Sequence, residues 1–218
     1  MSNQFWIFES ELSAIAFEAS KYNDRETGGD LYGLWTAGGN PVVYLAVGPG
    51  PKAVGQACEY EMDIDYMREC ERIVHANYGI HYLGDWHSHH NLSLHNPSSG
   101  DQQRIQSIMR KNSINVMAEI IVTHVPGSIP AQERVDAYAY KNGYMFTCEV
   151  CTLENKISPI RSAIQSNPSR RTFNLGLGQI SINQIQINCH NYNVSGNFET
   201  NRNDTPPDFN GSSIRIKI

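Results

Sequence analysis

Two short stretches of this chain place metal-binding and proton-moving side chains at useful spacings: His87-Ser-His89, and soon after it Ser98-Ser-Gly-Asp101. In a strand, residues i and i+2 point to the same face, so a His-x-His at a strand end aims both imidazoles at one point. The preceding Tyr82-Leu-Gly-Asp-Trp86 reads as that strand. Neutral imidazole is a good zinc ligand, and Asp101, entering from the first turn of a following helix, would add an anionic third. Three protein ligands leave a fourth position for water, whose pKa zinc lowers to about 7. Glu26, in Glu-Thr-Gly-Gly ahead of another strand, is placed to accept the water proton and hand it to a leaving amine. The Ser98 hydroxyl is a candidate donor to the oxygen of a tetrahedral intermediate. Together these residues make the inventory of a zinc-dependent amide hydrolase.

Each piece also has an ordinary reading. Ser98-x-x-Asp101 matches a helix-capping box, a role compatible with catalysis because a capped first turn also fixes the acid. His-x-His alone can be polar loop, and Glu26 alone a solvated helix-end acid. The joint pattern, Glu-x-Gly-Gly before one strand, His-x-His after another and Pro-Ser-x-x-Asp opening a helix, favours the site.

Several elements must position these residues. Residues 9–22 read as an amphipathic helix with Leu12, Ile15, Ala16 and Ala19 at helical spacing. Residues 30–36 and 41–47 read as strands of a hairpin joined by Ala-Gly-Gly-Asn, and Gly48-Pro-Gly-Pro51 as a turn. A second helix is expected over 63–77, with Ile64, Met67, Ile73 and Val74 as its apolar face. A third strand spans 80–86, a third helix 98–110, and further strands 115–124, 135–140 and 144–150. This order is mixed α/β with adjacent strands rather than a repeated βαβ unit. After about Ser158 the composition turns to Asn, Ser, Gln and Ile. Ile180, Ile182, Ile185 and Ile187 come near alternation, as do Ile214, Ile216 and Ile218 beyond Pro206-Pro207. The tail is therefore placed outside the catalytic domain, as a sheet extension or a segment ordered by a partner.

The chain has 218 residues, 40% hydrophobic and 18% charged. That is enough for one domain with a full core and an appendage. A formal net charge of −5 argues against binding nucleic acid or an anionic membrane by electrostatics. No apolar run approaches the roughly 18 residues of a membrane span. The early acids Glu9 and Glu11 and the lack of a basic start are not those expected of a secretory signal. Five cysteines at irregular spacings argue against a disulfide framework and for a reducing cytoplasm.

The motifs resemble those of the JAMM, or Jab/MPN, zinc metalloproteases. The carriers are Glu26 in Glu-Thr-Gly-Gly-x-Leu-x-Gly, Gly84-Asp-Trp-His87-Ser-His89, and Pro97-Ser98-Ser-Gly-Asp101, and the similarity runs from about residue 5 to about residue 150. The resemblance implies zinc held by His87, His89 and Asp101, Glu26 as general base, and Ser98 stabilising the oxyanion. It implies a cytidine-deaminase-like α/β fold, a central mixed sheet flanked by helices, over residues 1–158, with residues 159–218 a β-prone extension. It implies cleavage after the C-terminus of a ubiquitin-like protein. The simple loops look like bacterial versions, some encoded beside E1-like and E2-like proteins, for which antiphage defence is the expected setting. Two departures bear on subfamily: His90 stands where proline is usual, and the loop Asn91–Asn96 is one residue longer than the commonest form.

Other readings differ in class. One is a non-catalytic binding module for a ubiquitin-like protein or conjugation enzyme, which has no need of Glu26 or Ser98. Another is a zinc amidase for a small molecule. A zinc deaminase would need His-x-Glu and Pro-Cys-x-x-Cys, which are absent. His90 and His95 read as solvated loop residues beside the site. Cys148-x-x-Cys151 has zinc-knuckle spacing but only Cys189-His190 as a near partner, so both read as ordinary strand thiols. Trp86 alternates with His87 and is expected in the core.

Overall fold

The computed structural model describes residues 3–89, 94–125, 132–153, 157–166, 186–189 and 192–193. It begins with β1 (Gln4–Ile7), α1 (Glu9–Ser20), β2 (Gly28–Trp35) and β3 (Pro41–Ala46). A separate small hairpin, β4 (Val54–Gln56) with β5 (Glu59–Glu61), precedes α2 (Ile64–Tyr78). Then come β6 (His81–Ser88), α3 (Ser99–Asn112), β7 (Val116–His124), β8 (Gln132–Lys141), β9 (Tyr144–Thr152) and α4 (Pro159–Ser166). Two short strands, β10 (Gln186–Cys189) and β11 (Tyr192–Asn193), complete the described elements.

The strand order β8-β7-β6-β2-β3-β1-β9 returns on itself, because β9 also pairs with β8. Seven strands thus close into a mixed β-barrel accompanied by four helices. This corrects the sequence reading of a Jab/MPN, cytidine-deaminase-like sheet flanked by helices. Two local features make the closure. The first is β1, which runs parallel to both β3 and β9 and so joins the two edges that an open sheet would leave bare. Its four residues are too few to show an alternating pattern, and the sequence reading begins only at α1. The second is the two-residue turn Asn142-Gly143, whose φ angles of 51° and 84° both lie in the left-handed region. A tight hairpin needs that conformation at both central residues. The turn sets Lys141 opposite Tyr144 and folds β9 back along β8.

The barrel wraps around α1. Leu12, Ala14, Ile15 and Ala19 pack against Leu31 of β2, Val43 of β3, Trp86 of β6, Ile120 of β7, Ala137 of β8 and Val150 of β9. Enclosure on most sides explains why α1 buries Ser10, Glu11, Ser13 and Glu18 as well as its apolar residues, more than an amphipathic stripe requires. Buried Glu11 is satisfied in full: Arg161 donates to it at 2.7 and 2.6 Å, the Ala46 amide at 2.8 Å and the Ser10 hydroxyl at 2.8 Å. Arg161 lies on α4, so the chain just past residue 158 is tied to the centre of the barrel.

The remaining helices cover the outside. Met67, Cys70 and Val74 of α2, with Ile160 and Ile164 of α4, pack on Tyr32, Val42 and Tyr44. Ile64, expected on the apolar face of α2, is instead 50% exposed at its first turn. Ile105 and Met109 of α3 pack on Met117 and Ile121 of β7 and Tyr138 and Tyr140 of β8. Part of the tail joins the sheet, since β10 runs parallel to β8 and β11 parallel to β9. Ile187 falls in β10. Ile180, Ile182, Ile185, Pro206-Pro207, Ile214, Ile216 and Ile218 lie outside the described residues. No helix among the described residues is long and apolar enough to cross a membrane.

Candidate metal centre

Strand β6 carries the histidines and runs through His87 to Ser88, two residues further than the sequence pattern indicates. Alternation then does what the spacing requires. Trp86 turns inward, fully buried, and its indole donates to the Val47 carbonyl at 2.9 Å. Asp85, His87 and His89 turn to the outer face, towards α3. The His89 amide donates to the Val122 carbonyl at 2.8 Å, which holds this residue in line beyond the strand end.

Helix α3 brings Asp101. The capping box is present: Ser98 Oγ accepts from the Asp101 amide at 3.2 Å, and Asp101 Oδ2 accepts from the Ser98 amide at 2.7 Å. The ordinary reading of Ser98-x-x-Asp101 is therefore realised, and it orients the carboxylate. The cap uses a lone pair of the Ser98 hydroxyl and does not require its proton.

Glu26 comes from the other neighbour of β6. Gly28 sits opposite His87 in the antiparallel β2–β6 pair, the Ser88 amide donates to Thr27 O at 2.8 Å, and the Thr27 amide donates to Ser88 Oγ at 3.0 Å. The same register carries Glu26 towards His89. The two glycines after Thr27 permit this approach: a Cβ on Gly28 would lie 2.5 Å from Trp86 O, and one on Gly29 1.9 Å from Val47 O. The β4–β5 hairpin, absent from the sequence reading, anchors the segment, because the Glu26 amide donates to Gln56 O at 2.8 Å.

His87, His89 and Asp101 converge. The two Nε2 atoms are 3.0 Å apart, and each lies 3.4 Å from one oxygen of Asp101. Both rings are buried, while Asp101 keeps a side-chain exposure of 20%. The Leu94 carbonyl lies 2.8 Å from His89 Nδ1. A carbonyl can only accept, so that nitrogen carries a proton, and in the neutral form of the ring Nε2 presents its lone pair to His87. Two ring nitrogens and a carboxylate thus face one point, an arrangement that could hold a cation. The electrostatics agree. Burial would raise the Asp101 carboxyl, but hydrogen bonds from His87 and His89, the charge of His87 and the Ser98 side chain hold it well below the usual carboxylate range. Burial lowers His87. At His89 burial acts in the same direction, but Asp101, the Leu94 carbonyl and Glu26 outweigh it and raise the ring. Burial pushes the Glu26 carboxyl up to about 7, His89 opposes this, and Asp101 and Glu59 add to it.

The five residues singled out in the sequence thus fall around one corner of the barrel. Behind them lie three that sequence reasoning does not single out. Arg104, one turn after Asp101 on α3, pairs in bidentate fashion with buried Asp85 and sits 3.7 Å from Glu119 Oε1. Glu119 is directly opposite Asp85 across the parallel β6–β7 pair, and Tyr140 donates to its Oε2 at 2.6 Å. Burial, then Asp85, pushes the Glu119 carboxyl up to about 8. The one signal for it in the sequence is an acid alone within the apolar run Val-Met-Ala-Glu-Ile-Ile-Val of β7. Asp85, His87 and Glu119 also cluster closely enough to hold an ion, but Arg104 already supplies the cation there.

Other candidates resolve simply. His95 Nδ1 lies 3.2 Å from Thr123 Oγ1, and its carbonyl accepts from Tyr138 at 2.8 Å, so it braces the loop after the site. His90 lies outside the described residues, as does His190. Cys148 belongs to the core around α1 and Cys151 to the cluster beneath α2 and α4, so the two thiols face opposite sides of β9 and cannot share an ion.

The closed mixed barrel thus carries an external His-His-Asp cluster that could hold a metal ion, with the buried Glu26 beside it. The chain is 30% identical over 112 residues to the probable metalloprotease y4qB of Sinorhizobium fredii, a match covering 50% of this chain and 68% of that protein. The chain belongs to the family of that metalloprotease, which implies a metal, and His87, His89 and Asp101 form a group that could hold one. No family model matches the sequence. The fold is similar to that of protein DSY2949 from Desulfitobacterium hafniense, with a TM-score of 0.52 at 16% identity, covering 69% of this chain and 94% of that one. A protein from Salinibacter ruber aligns with a TM-score of 0.46 at 16% identity, over 71% of this chain and 94% of that one.

Proposed function

We propose that the protein is a zinc-dependent peptidase of the JAMM type that hydrolyses the amide bond after the C-terminus of a ubiquitin-like protein. The observation that carries the reading is the meeting of His87 Nε2, His89 Nε2 and Asp101 at separations of 3.0–3.4 Å. Two ligands about 2.0–2.1 Å from a tetrahedral ion stand about 3.3 Å apart, so these separations suit zinc. When bound, the ion supplies Lewis acidity, polarising a carbonyl and acidifying water.

The chain's own groups do the rest. Glu26, 9% exposed and poised near neutrality, takes a proton from the attacking water and returns it to the leaving amine. A positive ion at the histidines would draw the Glu26 pKa back down and keep the carboxylate ionised at neutral pH. The Ser98 hydroxyl donates to the carbonyl oxygen as negative charge develops on it. The capping box and the Arg104–Asp85 pair hold α3, and with it Asp101, against β6.

The narrower substrate reading rests on the motif resemblance, as do E1-like and E2-like partners. The sequence pattern assigns residues 1–158 to the catalytic unit and 159–218 to an extension, of which α4 packs on that unit through Ile160, Arg161 and Ile164. The test is cleavage of a ubiquitin-like protein extended by a peptide or joined to a lysine, with and without chelator and added zinc. Zinc-restored cleavage supports the proposal. Tight binding of the modifier without cleavage would make the chain a binding module. Cleavage of simple amides alone would make it a small-molecule amidase.

A further inference from the structure

We infer that Glu119 is a positioning residue for the metal centre: it accepts the Nδ1 proton of His87 and so keeps Nε2 free to bind the ion. The inference rests on the proposed role of His87 as a ligand and goes one shell deeper. A metal-binding histidine needs its other ring nitrogen protonated and held, and the partner that does so fixes both the tautomer and the ring angle. For His89 the partner is evident, since the Leu94 carbonyl lies 2.8 Å from its Nδ1. For His87, among the described residues, Nδ1 is buried and has no hydrogen-bond partner, and the same is true of Glu119 Oε1. These two orphans face each other at 3.9 Å.

The surroundings hold Glu119 at this task. Its other oxygen, Oε2, is fixed by Tyr140 at 2.6 Å, which leaves Oε1 turned towards the ring. Asp85, its cross-strand neighbour, is occupied by both ends of the Arg104 guanidinium. Asp85 and Glu119 share that single cation, and Arg104 reaches Glu119 Oε1 only at 3.7 Å, beyond hydrogen-bond distance. A buried carboxyl oxygen without a hydrogen bond is costly, and one short shift of the imidazole would satisfy donor and acceptor together. Seating an ion against Nε2 fixes the proton at Nδ1, the atom that Glu119 faces. Glu119 is not itself a ligand, because Nδ1 and Nε2 lie on opposite sides of the ring.

The experiment measures zinc affinity by competition with a chromophoric chelator for the wild type, Glu119→Ala, Glu119→Gln, Tyr140→Phe and His87→Ala. It also follows the His87 Nδ1 proton by NMR in zinc-loaded, 15N-histidine-labelled protein. Glu119→Ala is expected to weaken zinc binding by about 10- to 100-fold and to shift and expose the Nδ1 proton. Glu119→Gln keeps an oxygen and should fall between. Tyr140→Phe leaves the carboxylate but frees it, and should weaken binding in the same direction; it serves if Glu119→Ala does not fold. Wild-type affinity and an unchanged Nδ1 signal in Glu119→Ala, or in Tyr140→Phe if only that folds, beside a damaged His87→Ala, would overturn this inference alone. No zinc bound by the wild type, or none lost in His87→Ala, would overturn the ligand assignment and this inference with it.

Discussion

Ser98 carries two roles that one substitution series can separate. Its oxygen accepts the Asp101 amide at 3.2 Å as the cap of α3, and its proton is assigned to the reaction. Ser98→Ala removes both. Losing the cap costs about 0.5–2 kcal/mol, a fall in Tm of roughly 1–8 °C for a chain of this size. Losing an oxyanion donor costs about 10²–10³ in kcat, equivalent to about 2.7–4 kcal/mol. Ser98→Gly removes the donor while costing the cap only a few tenths of a kcal/mol, about 1 °C. It also leaves the reciprocal bond from the Ser98 amide to Asp101, at 2.7 Å, in place. Ser98→Thr restores oxygen and proton together. The assay pairs thermal melts and zinc content with kcat on the C-terminal amide of a ubiquitin-like protein. Gly and Ala should lose similar activity at different stability, with zinc retained in Gly and activity recovered in Thr. Activity that tracks Tm, with Ser98→Gly turning over like the wild type, would refute the donor role and leave Ser98 a cap alone.

Three further outcomes follow from the packing and charges. Glu26→Gln should lower kcat by about 10²–10⁴ while zinc stays stoichiometric; wild-type turnover would exclude it as the base. Burial pushes Asp30 up to about 7 from its ordinary 3.8, so its protonated form stabilises the fold fully below about pH 4 and that contribution is lost as pH rises through 7. Urea unfolding should therefore show the wild type losing stability relative to Asp30→Asn at up to about 1.4 kcal/mol per pH unit across that window and levelling off above it; a constant difference would contradict the assignment. Arg161→Ala strands the buried Glu11 carboxylate, which both guanidinium bonds now satisfy. That should cost about 3–5 kcal/mol and lower Tm by roughly 6–20 °C in a calorimetric scan. A change of a degree or two would mean that α4 is not bound to the barrel as described.

The chemistry is more legible in the sequence than the architecture, for a physical reason. Strand alternation and the first turn of a helix are local, so His87, His89, Ser98 and Asp101 can be aimed from spacing alone, and Trp86 assigned to the core by the same alternation. Closure of the barrel is not local. It depends on β1 pairing with β3 and with β9, and its short Phe-Trp-Ile run carries no information about either partner. The role of Glu119 is likewise written only in three dimensions, through its register with Asp85 and the reach of Arg104 from α3. The β4–β5 hairpin leaves no pattern to read because its strands are short and largely exposed, although it anchors Glu26 through one backbone hydrogen bond.

The central claim is that one divalent ion is held by two imidazoles of β6 and a carboxylate of α3. An anomalous difference map at the zinc edge, from crystals grown with zinc, tests it directly. The account expects a single strong peak about 2.0–2.2 Å from His87 Nε2, His89 Nε2 and an oxygen of Asp101. Zinc bound only elsewhere, or these three side chains in hydrogen-bonded contact with no peak between them, would contradict it.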